Sequence, residues 1–266
     1  SNSITATNGA LERCGEGELF AVIVSSDGSS SKLSIVSGDD AKLAWQVDLG
    51  STDAIRSTPV LLDVDGDERV EILLAYDTDT SLEVEMWSPE LSCSESGWDK
   101  SGHENEKLWS MSNSDYRIGI QSPHFASSQS NHKSVTQPLL ADLELDGNPE
   151  LVLSLVNENT NDPTVVSLSL TTSAPTTFDW EVVLDRGTHP SDPSWGALDS
   201  SNTAIVLTTI DSNSGNMWIW RIDGASGSLD WERVAISGTD SDSDSPRLRL
   251  PCLLYTSDAA DELRSV

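Results

Sequence analysis

Cationic side chains and sulfur are scarce in this chain. Its 266 residues hold 15 Lys and Arg against 44 Asp and Glu, a formal charge of -29 at pH 7. So acidic a polypeptide repels polyanions, so no nucleic acid is expected as a partner. Cations are its natural counterpart, although acids spread along the whole chain also describe a well-solvated surface. Three cysteines, Cys14, Cys93 and Cys252, show neither zinc spacing nor a disulfide framework, and Cys14 with Cys93 is the one pairing left open. There is no apolar run of about eighteen residues and no basic-then-apolar leader, so no membrane insertion is expected in this segment. The first residue is Ser1, and the reading is of a piece whose start, with any export signal, lies upstream.

The usual marks of catalysis are also missing. The four histidines, His103, His124, His132 and His189, fall in predicted loops. No G-x-S-x-G turn or phosphate-cradling Gly loop accompanies them. A carboxylate pair for glycoside chemistry stays open, because separation in space decides it. The balance is against an enzyme.

What is present is a succession of short strand patterns with no helical periodicity. Residues 18–24, 32–36 and 43–47 read as strands of a first unit. Residues 58–62, 70–76, 82–87 and 107–111 give a second, with a Ser/Glu/Gly-rich insertion at 88–106. A second long connection, 112–134, contains Tyr116, His124, Phe125 and His132. Residues 138–141, 151–156, 165–170 and 178–184 give a third unit, and 195–198, 204–210, 217–222 and 228–234 a fourth. One Trp falls in the last strand of each, Trp45, Trp109, Trp180 and Trp231. Such a period signals sheets stacked around an axis, with each Trp as a packing wedge between neighbours. The expected fold is all-β: a partial β-propeller of about four four-stranded antiparallel blades. They span 18–49, 57–112, 135–185 and 193–236, and a fifth starts at 245–250.

Two acidic nonapeptides open the second and third units. Asp63-Val64-Asp65-Gly66-Asp67-Glu68-Arg69-Val70-Glu71 places acids at positions one, three, five and nine. Asp142-Leu143-Glu144-Leu145-Asp146-Gly147-Asn148-Pro149-Glu150 does the same. Alternate residues of a tight loop point carboxylates inward, and the residue at seven offers its backbone carbonyl, which suits a hard cation wanting six to eight oxygens. Two Ca2+ sites are therefore expected. One is built from Asp63, Asp65, Asp67, Glu71 and the Arg69 carbonyl, the other from Asp142, Glu144, Asp146, Glu150 and the Asn148 carbonyl. Strands rather than helices flank both, which excludes an EF-hand. Pro59 and Pro138 each stand four residues before the first Asp. The turn at 199–203 lacks the acidic ladder, so the fourth unit has no expected ion.

These hairpins resemble FG-GAP or VCBS repeats, the calcium-binding blades of integrin-alpha-like propellers. Glu68 and Glu144 depart from that pattern, where Gly and Asp or Asn are commoner. The turn Asp223-Gly224-Ala225-Ser226-Gly227 with Trp231, and more loosely residues 37–45, resemble pyrroloquinoline-quinone-type blades. The tail from Pro251 to Glu262 resembles translated sequencing adapter, which makes 251–266 a non-native segment. The resemblance implies a secreted or cell-surface, calcium-binding interaction or adhesion scaffold for a protein or glycan ligand. The alternative is a carbohydrate-active or glycan-binding propeller with Trp98 or Tyr116 stacking on sugar. A second alternative is a piece of a quinoprotein dehydrogenase, for which this chain has few cations to hold an anionic cofactor.

Overall fold

β-Branched, Leu and aromatic residues cluster in short runs broken by Gly, Asn, Asp and Ser, and the computed structural model turns these runs into strands. It describes residues 3–13, 16–26, 30–37, 43–50, 57–67, 70–78, 80–89, 106–119, 135–197, 202–211 and 214–236. Among them there is no α-helix, and so none that is long and apolar enough to cross a membrane.

β1 (Ser3–Arg13), β2 (Glu16–Ser26), β3 (Ser31–Ser37) and β4 (Leu43–Gly50) form the first sheet, in that order. β5 (Val60–Leu62), β6 (Glu71–Asp77), β7 (Leu82–Trp87) and β8 (Lys107–Asn113) form the second. The third contains β9 (Tyr116–Ile118), β10 (Leu139–Ala141), β11 (Glu150–Asn157), β12 (Pro163–Ser169) and β13 (Trp180–Val183). The fourth contains β14 (His189–Pro190), β15 (Ser194–Ala197), β16 (Thr203–Ile210), β17 (Met217–Asp223) and β18 (Leu229–Ile236). Every pairing is antiparallel between neighbours in the chain, save that β9 and β10 share the edge of β11, and β14 and β15 that of β16.

The central strands of the second and third sheets are buried on both sides, because each of these sheets lies between two others. β6 and β11 read as unbroken apolar runs for this reason, and alternate residues serve different cores. Leu73 and Ala75 join Leu151, Leu153 and Leu155 in a core between the second and third sheets. Ile72, Leu74 and Tyr76 face the other way, against Val22, Leu33, Ile35 and Trp45 of the first. Val152 and Val165 meet Ile205, Leu207, Trp218 and Trp220 between the third and fourth. Among the described residues no core joins the fourth sheet to the first. Four antiparallel meanders stacked face to face in chain order define an arc of a β-propeller, the architecture expected from the repeats.

One contact recurs at all three interfaces between sheets and a second at the last two. On the outer strands, the wedge Trp donates its indole N–H to the segment before the last strand of the following sheet. Trp45 Nε1 reaches Glu106 Oε2 at 2.6 Å, Trp109 Nε1 the Thr171 carbonyl at 2.8 Å, and Trp180 Nε1 the Gly224 carbonyl at 3.0 Å. Trp45 also meets the edge of Trp87 at 6.0 Å and 72°. At the inner edge, the triplets Ser57-Thr58-Pro59, Thr136-Gln137-Pro138 and Ser191-Asp192-Pro193 precede β5, β10 and β15. Each hydroxyl bonds its own second strand: Ser57 Oγ to the Ala75 carbonyl, Thr136 Oγ1 to the Ser154 carbonyl at 2.7 Å, and Ser191 Oγ from the Thr208 N–H at 3.0 Å. The middle residues link sheet to sheet. Thr58 N–H donates to Gln137 Oε1 at 2.7 Å, and Gln137 N–H to Asp192 Oδ1 at 2.6 Å.

Three strands escape the sequence pattern. β1 lies ahead of the unit expected from residue 18 and completes its sheet by main-chain pairing along all of β2. β9 falls within the expected connection 112–134, and β14 is only two residues long. The expected fifth strand at 245–250, the 251–266 tail, Cys14, Cys93, Cys252, Trp98, His103, His124, Phe125 and His132 lie outside the described residues.

Candidate metal centre

Each acidic loop joins an inner strand to the second strand of its sheet, 63–70 between β5 and β6 and 142–149 between β10 and β11. Position two of each loop is apolar and faces inward. Val64 packs on the core between the second and third sheets, and Leu143 is buried in the core between the third and fourth. The glutamate at position nine, the first residue of the second strand, holds that residue's backbone. Glu71 Oε2 accepts the Val64 N–H at 2.9 Å and Glu150 Oε2 the Leu143 N–H at 2.8 Å. Both glutamates are buried, 2% and 4% exposed. Position four takes a left-handed backbone in both loops, supplied by Gly66 at φ 75° and by Leu145 at φ 57°.

In the first loop the side chains converge. Asp63, Asp65 and Glu71 each place a carboxylate oxygen within 4.8 Å of the others, with the two aspartates exposed and the glutamate buried. Two oxygens on opposite sides of a calcium ion, each roughly 2.4 Å away, stand at about that separation, so the all-oxygen set fits a hard divalent cation. Asp63 Oδ1 also accepts the Gly66 N–H at 2.7 Å, and Asp65 Oδ1 the Asp67 N–H at 3.2 Å. Ser88 Oγ donates to Glu71 Oε1 at 3.1 Å, a partner from beyond β7 that loop spacing alone does not suggest. Burial raises the Glu71 pKa above its ordinary value. The Val64 and Ser88 hydrogen bonds oppose the rise, and the charges of Asp65 and Asp67 add to it. Arg69, the expected carbonyl donor, is outside the described residues.

The second loop spends its acids differently. Asp142 Oδ1 accepts the Asp146 N–H and Oδ2 the Gly147 N–H, both at 2.9 Å, while Asp146 Oδ1 accepts the Asn148 N–H at 2.8 Å. Among the described residues the first loop supplies the only group of three acids within 4.8 Å, so Asp142, Glu144, Asp146 and Glu150 do not converge in this way. Burial, reinforced by the charge and hydrogen bond of Glu144 beside it and by Asp146, pushes the Glu150 carboxyl up to about 7. A buried carboxyl among like charges favours its protonated form, and a cation reverses that preference. This loop is also anchored to the fourth sheet. Thr203 Oγ1 donates to the Leu143 carbonyl at 2.6 Å, and Gly224 leaves no room for a Cβ, which would lie 2.1 Å from Thr203 Oγ1.

Tyr116 is not a surface platform. Its ring is buried edge-on to Phe178 at 5.7 Å, and its hydroxyl donates to Glu181 Oε1 at 2.5 Å.

The fold and loops define a β-propeller arc carrying acidic hairpins. No family model matches the chain, and no curated protein matches it. Among solved structures, an exotype rhamnogalacturonan lyase, YesX, is similar at TM-score 0.46 and 13% identity, over 90% of this chain and 50% of that one. The Dos1 propeller is similar at TM-score 0.43 and 10% identity, over 87% and 50%. The chain thus spans half the length of each, and its assignment as a propeller arc rests on its own sheet order and cores.

Proposed function

We propose that this chain is a calcium-binding propeller segment, extracellular or at the cell surface, that serves as an interaction or adhesion scaffold for a protein or glycan ligand. One observation carries the calcium reading: Asp63, Asp65 and the buried Glu71 bring carboxylate oxygens within 4.8 Å of one another on a loop between two strands. The second loop repeats the acid spacing and is the second Ca2+ site of the proposal, assembled when an ion draws Glu144 and Glu150 together with Asp142, Asp146 and the Asn148 carbonyl. The scaffold reading is supported by the place of these loops beside the cores between sheets, where a bound ion would make the arc more rigid.

Calorimetry and thermal melts with calcium and with a chelator test the proposal. Extracellular calcium modules have dissociation constants of roughly 0.1 to 1 mM, so 10 mM calcium adds about 1.4 to 2.7 kcal/mol per site. Asp65→Ala should remove the first site's share and Asp146→Ala the second's, while Asp115→Ala, in the exposed turn between β8 and β9, should change little. Superimposable melts and no heat of binding at millimolar calcium would refute it.

A further inference from the structure

Polar side chains enter the core between the third and fourth sheets from both sides. Along β11, Leu153 and Leu155 face the second sheet, so Ser154 between them points at the fourth. Along β12, Val166 and Leu168 do the same, so Ser167 also points at the fourth. Trp218 enters this core from the facing sheet. Both serines are 1% exposed and Trp218 is 8% exposed. Among the described residues, Ser154 Oγ, Ser167 Oγ and Trp218 Nε1 have no hydrogen-bond partner. The neighbouring indole of Trp220 does have one: it donates to Thr209 Oγ1 at 2.8 Å, and Thr209 Oγ1 donates in turn to the Arg186 carbonyl at 2.7 Å.

The strand registers bring the three groups together. Ser154 pairs with Val165 and Ser167 with Val152, which makes the serines diagonal neighbours on one face. Such neighbours stand about 7–8 Å apart at the backbone. That is too far for two short side chains to bond directly, and it is a span that one molecule making a bond of about 2.8 Å to each can bridge. Trp218 lies at the level of Ser154. It pairs with Thr209, and Thr209 pairs with Pro190. A Cβ on Gly119 would lie 2.6 Å from Pro190 Cγ, and the Gly119 N–H donates to the Ser154 carbonyl at 2.9 Å.

The chemistry narrows the occupant. A buried hydroxyl or indole N–H is costly to leave unpaired, and the cross-strand partners of the serines are valines, which offer nothing to balance the charge of an ion. What fits is a neutral molecule of one heavy atom that both donates and accepts. We propose that one buried water joins the third and fourth sheets, accepting the Trp218 indole N–H and donating to Ser154 Oγ and Ser167 Oγ. The proposal does not depend on calcium.

Oxygen-17 relaxation dispersion of the intact 266-residue chain tests it, because the method counts long-held waters and is blind to proton exchange. The double variant Ser154→Ala/Ser167→Ala leaves the water a single partner, against the roughly two to four that hold a buried water. It should therefore count one long-held water fewer than the wild type. Ser154→Ala and Ser167→Ala alone should each melt below the wild type, since each strips one bond from the water, whereas hydroxyls without any partner would make both melt higher. An equal water count in the double variant, or single variants that melt no lower than the wild type, would overturn the proposal.

Discussion

Replacing Glu150 by Gln keeps an oxygen to accept the Leu143 N–H and removes the charge. The wild-type carboxyl stands at about 7 in the folded chain because it is buried beside Glu144, against an ordinary value of 4.5. A carboxyl raised in this way binds a proton in the folded state that the unfolded chain has already released. Stability therefore falls as pH rises from 4.5 towards 7, and the loss is complete above 7. The full difference corresponds to about 3 kcal/mol, and relaxation of the exposed Glu144 reduces it to roughly 1–2 kcal/mol. In chelator, Glu150→Gln should match the wild type near pH 4.5 and exceed it by that amount at pH 8. Acids remote from this loop titrate alike in both proteins and cancel. Urea unfolding at both pH values, with and without 10 mM calcium, measures it; calcium should recover stability in the wild type and less in the variant. A variant no more stable than the wild type at pH 8 in chelator would refute the reasoning, because the buried charge would then cost nothing.

Leu145→Gly should stabilise the second loop by about 0.5–1 kcal/mol in chemical denaturation, since a left-handed backbone suits Gly at position four, as Gly66 shows in the first. Gly227→Ala should destabilise by roughly 2 kcal/mol or more in the same assay, because φ is 66° and a Cβ would lie 2.6 Å from the Trp180 ring. Lys107→Met should cost about 1–3 kcal/mol, leaving the buried Glu85 without the ammonium now 2.6 Å away, and adding Glu85→Gln should recover most of it.

The fold was largely legible because its strands are apolar and its turns polar. β7 and β17 begin where their patterns begin, and Trp45, Trp109 and Trp180 proved to be wedges between sheets. β1 was not, since Ser3-Ile4-Thr5-Ala6-Thr7-Asn8 carries few large apolar residues and is placed by main-chain pairing. β9 and β14 are too short to show a period. In the candidate site, acid spacing identified both loops but not their difference. The register of main-chain donors separates the two loops at equal positions: Asp63 accepts the Gly66 N–H through Oδ1, whereas Asp142 accepts a main-chain N–H through each of its two oxygens. Acceptors such as the Thr171 and Gly224 carbonyls carry no side-chain signature at all. The triplet ending in Pro193 matches those ending in Pro59 and Pro138, but no acidic loop follows it to signal the likeness.

The indole N–H of each of the three wedges, Trp45, Trp109 and Trp180, reaches forward in the chain, from an outer strand to a segment of the sheet made next. A ribosome delivers these parts in the same order. Trp45 leaves the exit tunnel before Glu106, Trp109 before Thr171, and Trp180 before Gly224. Each newborn sheet therefore meets a surface already assembled, with a donor waiting for it. Folding in step with translation, one sheet at a time, shortens the exposure of edges and apolar faces that would otherwise pair with other nascent chains.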